Sequence, residues 1–216
     1  MANIQSEPQM EDNQKPIYGN SRDQRPMPCT VLIARLPPTT KYKDIFFSIK
    51  NTGPIRDCKL YPPDSSDPKY ACAVVQFFQY RGAANLCSRW RTKKFIINDS
   101  EAEVKWHGRE LYEPFTFPEG ESRVLRIKGP KYIVNRRVLQ AIWREEFEWN
   151  VDSSIDLGLG EVVYFFTCWD DSKRAKDMLL RDLSKVLTAE YDPDPCGHPT
   201  REVMIACGTK KDGNGN

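Results

Sequence analysis

The sequence predicts an α+β protein built from two βαββαβ units in tandem, the second degenerate. Three observations carry that prediction. Val31-Leu32-Ile33-Ala34-Arg35-Leu36 and Tyr70–Phe77 are strand-like runs about forty residues apart, with a helical pattern and a further strand between them. The same alternation of strands and helices returns from Val124 onward. A chain of 216 residues is long enough to bury two small cores.

Residues 1–27 are rich in Gln, Asn, Pro and mixed charge without periodicity, which predicts a disordered arm. The first unit spans 28–108. Thr30–Leu36 is strand-like, and Pro37-Pro38-Thr39-Thr40 turns the chain into a helix with Tyr42, Ile45, Phe46 and Ile49 at helical spacing. Asn51-Thr52-Gly53-Pro54 stops that helix, and Ile55–Tyr61 is a second strand. Pro62-Pro63-Asp64-Ser65-Ser66-Asp67-Pro68 is a loop. Tyr70–Phe77 is the third strand, and Gln79–Arg91 a second helix with small Ala83 and Ala84 toward the sheet. Ala102, Val104 and Trp106 alternate with Glu103, Lys105 and His107 as a fourth strand.

A linker over 109–121 leads to the second unit, 122–196. Val124–Ile127 is a strand ending in Gly129-Pro130, much as the first ended in Pro37-Pro38. Asn135–Phe147 is helical, with Val138, Ile142 and Phe147 toward its core. Its second strand lies within Val151–Leu159, where Gly158 and Gly160 blur the alternation. Val162–Trp169 is a strongly apolar strand. Asp171–Leu187 is a helix capped by Asp171 or Ser172, with Ala175, Leu179, Leu183 and Val186 on one stripe. A last strand runs through Val186–Tyr191, and 197–216 reads as a flexible tail whose Gly/Asn-rich end, 208–216, is frayed.

Composition narrows the function classes. Apolar and charged fractions of 39% and 29% are ordinary for a soluble globular protein. No apolar run is long enough for a membrane helix, and 1–27 lacks the apolar segment of a signal peptide. The expected location is therefore intracellular, nucleus or cytoplasm. Seven scattered cysteines without a Cys-x-x-Cys pair disfavour a disulfide framework or zinc ribbon and fit a reducing compartment. A net charge of +2 hides an asymmetry. Residues 28–108 hold 13 Lys/Arg against 7 Asp/Glu, and residues 109–195 hold 13 against 17. The first unit carries the basic surplus that a phosphate-contacting module needs.

Alternate side chains of a strand share one face. Ala71, Ala73, Val75 and Phe77 are the set expected against the helices. Tyr70, Cys72, Val74 and Gln76 face outward with Leu32 and Ala34. The two runs resemble the paired signatures of the RNA recognition motif (RRM) superfamily, Ala73 and Phe77 matching the longer one. The whole pattern over about residues 29–197 also resembles small ascomycete RRM-like proteins, chiefly through Ser122–Pro130 and Glu190–Cys196. The resemblance implies ferredoxin-like plaits and single-stranded RNA stacked on an outward sheet. The chain departs from the family where stacking aromatics are usual, at Leu32, Cys72 and Val74, and Arg35 stands where Asn is common.

One base stacked on an aromatic ring is worth roughly 1–3 kcal/mol. Losing two stacks weakens binding by roughly a hundredfold, since about 1.4 kcal/mol is tenfold. Affinity would have to come from Tyr61 and Tyr70, from Arg35, Lys59, Lys69 and Lys105, and from the cluster Arg89, Arg91, Lys93 and Lys94. The leading expectation is a non-catalytic protein that binds single-stranded RNA weakly on this sheet and its basic rim. The alternative is a protein-interaction module that docks partners on Leu32, Cys72 and Val74 without RNA. In the second unit, Tyr164 and Phe166 supply a stacking platform if outward and build the core if inward. A further possibility is that the acidic second unit covers the first sheet.

No enzyme activity, cofactor, metal, membrane or small-molecule substrate is expected. The histidines are His107 and His198, and Cys196-Gly197-His198 with Cys207 lacks a second ligand pair for zinc. No phosphate loop or nucleophile elbow is present. Glu145-Glu146-Phe147-Glu148 reads as a solvated helix end.

Overall fold

A computed structural model describes residues 27–65, 68–108 and 120–197. The expected arm apart from Met27, most of the 109–121 linker, and the tail beyond Gly197, with His198 and Cys207, lie outside those residues. The first unit runs β1 (Thr30–Leu36), α1 (Tyr42–Ser48), β2 (Ile55–Tyr61), β3 (Ala71–Phe77), α2 (Tyr80–Thr92), β4 (Phe95–Ile97) and β5 (Ser100–Trp106). Its antiparallel sheet has the order β2-β3-β1-β5-β4. The second unit runs β6 (Val124–Lys128), α3 (Arg136–Arg144), β7 (Val151–Gly158), β8 (Glu161–Phe166), α4 (Trp169–Leu183) and β9 (Thr188–Asp192). Its sheet order is β7-β8-β6-β9. The second unit thus carries the full plait order, and what is degenerate in it is the sequence pattern of its second strand. Among the described residues no helix is long and apolar enough to cross a membrane.

The inward set forms the first core: Ala71, Ala73, Val75 and Phe77 are buried with Val31, Ile33, Ile45, Phe46 and Leu86. Helix α2 brings Gly82 and Ala83 to the sheet, not Ala83 and Ala84. A Cβ at Gly82 would lie 2.6 Å from the Phe77 ring, so only glycine allows that approach. β4 was not anticipated. It forms a hairpin with β5 through Asn98-Asp99, both with positive φ, the dipeptide chemistry that a tight primed turn favours.

In the second unit α3 buries Leu139 and Trp143, leaving Val138, Ile142 and Phe147 only partly covered. The expected stripe was one position off. Helix α4 starts earlier than expected, capped by the Cys168 thiol, which accepts from Asp171 N. It ends before Val186, which is exposed. Gly158 and Gly160 blur the alternation because they flank the β7–β8 turn. Gly160 has φ +80, and a Cβ there would lie 1.9 Å from Gly129 O.

The two units meet along β2 and α1. Cys58 N donates to Thr167 O (3.1 Å), Gly53 N to Cys196 O (2.9 Å), and Asp57 bridges to Cys168 beside the outer margin of β2. At the centre, Arg123 is fully buried and pairs with Asp194 at 3.1 Å. Asp194 also accepts from Ile55 N and Cys196 N, both 3.0 Å, while Arg123 donates to Phe166 O at 2.9 Å. The guanidinium carbon sits 3.8 Å from the Phe46 ring centroid. The Ser122–Pro130 and Glu190–Cys196 runs therefore supply the buried ion pair of the seam, and Thr167 and Cys168 its contact with β2. Burial pushes the Cys58 and Cys196 thiols up, so both stay protonated at neutral pH.

Candidate nucleic-acid interface

Cross-strand register sorts the outward side chains of the first sheet into rows. Lys59, Val74, Leu32 and Lys105 stand opposite one another across β2, β3, β1 and β5. On one side come Tyr61 with Cys72, and Ala34 with Glu103. On the other come Asp57, Gln76 and Thr30. That last row is closed, because Thr30 and Gln76 are buried. Leu32, Cys72 and Val74 are half-exposed and make a shallow apolar strip in contact with solvent. The inter-unit contacts run along β2 and α1, so the second unit is not a lid over this strip.

The two lysines of the central row are matched by acids two residues back on their own strands. Lys59 Nζ lies 3.7 Å from Asp57, and Lys105 Nζ 2.9 Å from Glu103. Exposed pairs of this kind contribute little to stability. They do cancel the charge of the row. Burial at the seam pushes the Asp57 carboxyl up, with Lys59 pulling the other way. A carboxyl raised in the folded state holds its proton more tightly there, so ionising it at neutral pH opposes folding. Asp57→Asn should therefore raise the melting temperature at neutral pH. The gain over wild type should shrink as pH falls into the acid range and Asp57 protonates. A gain that grows on acidification would contradict the assignment.

The aromatic end of the strip is formed by Tyr61 and Tyr70, 45% and 36% exposed. A register shift between Ile33 and Leu36 places Arg35 at φ +61, and its guanidinium lies 5.6 Å from the Tyr70 ring centroid. That left-handed backbone costs an arginine about 1–2 kcal/mol and is easier for Asn. Here the bulge aims the side chain at Tyr70. Lys69, exposed, precedes Tyr70. One face and its rim thus gather Leu32, Arg35, Lys59, Tyr61, Lys69, Tyr70, Cys72, Val74 and Lys105.

The basic cluster does not join them. Arg89, Arg91, Lys93 and Lys94 lie at the end of α2 and the turn after it, on the helix-bearing side of the sheet. Arg89 donates to the carbonyls of Lys50 (2.8 Å) and Asn51 (3.3 Å), and Lys94 to Glu101 (2.8 Å). In the second unit, Tyr164 and Phe166 point inward and pack against Trp143. The outward Val163 and Phe165 form a buried cluster with Val124. Arg126 is held by Asp192 and Glu161. That sheet offers no open platform.

No protein-family model and no curated protein matches the sequence. Among solved structures, the chain is similar to the three amino-terminal RNA-binding domains of the yeast splicing factor Prp24. Identity there is 17% and TM-score 0.31, covering 80% of this chain and 64% of that one. It is similar to the first two RRM domains of yeast poly(U)-binding protein Pub1 at 16% identity and TM-score 0.31, covering 76% of this chain and 99% of that one. For RNA recognition domains 1 and 2 of Drosophila melanogaster Sex-lethal, identity is 12% and TM-score 0.29, with 76% and 99% covered. The fold assignment rests on strand order, not on overlays this loose. Both units are ferredoxin-like plaits.

Two features of the first unit escaped the sequence reading. Trp106 stacks on Tyr80 with centroids 5.6 Å apart and planes 7° from parallel. Alternation places Trp106 inward with Ala102 and Val104, but β5 ends there and the ring emerges beside the first turn of α2. The second feature is the exposure of Phe47 and Ile96 beside the basic cluster. In sequence Phe47 is indistinguishable from the buried Phe46 next to it.

Proposed function

We propose that this is a non-catalytic RNA-binding protein that holds single-stranded RNA on the outer face of the first sheet. The observation that supports it is the pair of exposed rings, Tyr61 and Tyr70, at one end of an uncovered strip, with Arg35 over Tyr70. Bases stack on the rings, the apolar strip receives the next sugar or base, and Lys59, Lys69 and Lys105 meet phosphates. With so few rings, binding is weak and its sequence preference modest.

Titration of labelled single-stranded RNA pools with the full chain, at low and moderate salt, tests this. Affinity should fall as salt rises. Tyr61→Ala together with Tyr70→Ala should weaken it by roughly a hundredfold, at roughly 1–3 kcal/mol per stacked base. Binding that ignores salt, or survives the loss of both rings, removes the proposal.

The balanced charge of the central row favours a second reading, in which the strip docks a protein. Asp57→Asn with Glu103→Gln separates the two, because unmasking Lys59 and Lys105 strengthens RNA binding and leaves an apolar protein contact unchanged.

A further inference from the structure

On the opposite side of the first unit, α1, α2 and β4 enclose a groove of about 330 Å³. Its apolar walls are Phe47 and Ile96, 58% and 48% exposed, over a buried Phe95. Their chain neighbours show how unusual this is. Phe46 is buried and stacks on Tyr42, and Ile97 is buried on the inner face of the same short strand. Leaving a large apolar side chain in water forgoes the stabilisation that burying it would bring. Two such residues side by side in a concavity mark a contact surface.

The rim is cationic. Lys50 Nζ lies 4.0 Å from the Phe47 ring centroid, and Arg89, Lys93 and Lys94 line the groove. The acid at this rim, Glu101, pairs with Lys94, both side chains more than half exposed. Among the described residues, Lys93 has no carboxylate within ion-pair distance. β4 is the last strand of its sheet, so its outer backbone margin borders the groove.

We propose that this groove docks an extended acidic peptide of a partner protein, in which large apolar residues alternate with Asp or Glu. In a strand-like peptide alternate side chains point opposite ways. One set enters between Phe47 and Ile96, and the other reaches Lys50, Arg89, Lys93 and Lys94. The walls suit a peptide better than a nucleic acid. One ring face of Phe47 already carries the Lys50 ammonium, and Ile96 presents no flat surface to a base. The proposal is independent of RNA binding on the other face.

The test uses the full chain and a short fluorescent peptide alternating Phe and Leu with Asp and Glu, read by anisotropy. The control peptide has Asn and Gln in place of the acids. The acidic peptide should bind at least about tenfold tighter than the control, with an affinity that falls as salt rises. Phe47→Ala with Ile96→Ala, and separately Lys93→Glu with Lys94→Glu, should each weaken it by about tenfold. The melting temperature should stay near wild type, since all four side chains are exposed. Tyr61→Ala with Tyr70→Ala should have no effect. Equal binding of the two peptides, or indifference to the Phe47 and Ile96 changes, overturns the proposal. So does a single-stranded oligonucleotide whose binding depends on Phe47 and Ile96, which would assign the groove to RNA.

Discussion

Arg123→Met is expected to destabilise the protein by about 3–5 kcal/mol, because it leaves a buried carboxylate without its counter-charge. The Asp194 side chain is 2% exposed, so water cannot take over. The change also orphans Phe166 O and removes the cation above Phe46. Burial alone would lower the Arg123 pKa, but Asp194 and its other neighbours hold it above the usual arginine value, so the pair stays ionised at any physiological pH. Replacing both partners, Arg123→Met with Asp194→Asn, should recover only part of the loss. Swapping a buried pair for neutral groups can be harmless when shape is kept. Here the amides of Ile55 and Cys196 donate to different oxygens of Asp194, and Asn would set an NH2 donor against one of them. Chemical denaturation of the two single variants and the double variant gives the coupling directly. A loss below about 1 kcal/mol for the single Arg123 change would mean that the pair is not what joins the units.

The second large effect belongs to Trp143. Its ring is fully buried and meets Tyr164 at 4.8 Å, Phe166 at 5.6 Å and Trp149 at 5.7 Å, each edge to face. Trp143→Ala should cost about 3–5 kcal/mol, combining lost burial with a cavity that the three surrounding rings cannot collapse into. Trp143→Phe should cost far less. The indole Nε1 is buried and has no hydrogen-bond partner among the described residues, so phenylalanine removes an unsatisfied donor while keeping most of the contact. Urea unfolding curves of the two variants decide the matter. Equal losses would contradict this, because the retained phenyl ring would then contribute nothing.

The strand faces of the first unit were legible because β3 alternates with period two. Ala71, Ala73, Val75 and Phe77 could only be one face, which fixed Leu32, Cys72 and Val74 as the other. Alternation left Tyr164 and Phe166 undecided because β8 is apolar on both sides, and only packing against Trp143 resolves it. The helix stripes slipped by a residue in α2, where Gly82 rather than Ala84 meets the sheet, and in α3, where Leu139 and Trp143 rather than Val138 and Ile142 are buried. The seam could not be read at all. Asp194 and the Ile55 amide are 139 positions apart, and a lone Arg or Asp in a sequence looks like a surface charge. The same blindness hid the separation of Arg89 and Lys93 from the sheet they were expected to rim.

The docking of Thr167 and Cys168 against β2 has a consequence for solubility. A sheet's outermost strand is a template on which foreign chains polymerise. In the first sheet one such template, β2, is capped at Asp57 and Cys58 by the chain's own later half, and the other, β4, is three residues long. Opening the seam would therefore do more than loosen two domains: it would bare a seven-residue strand to self-association.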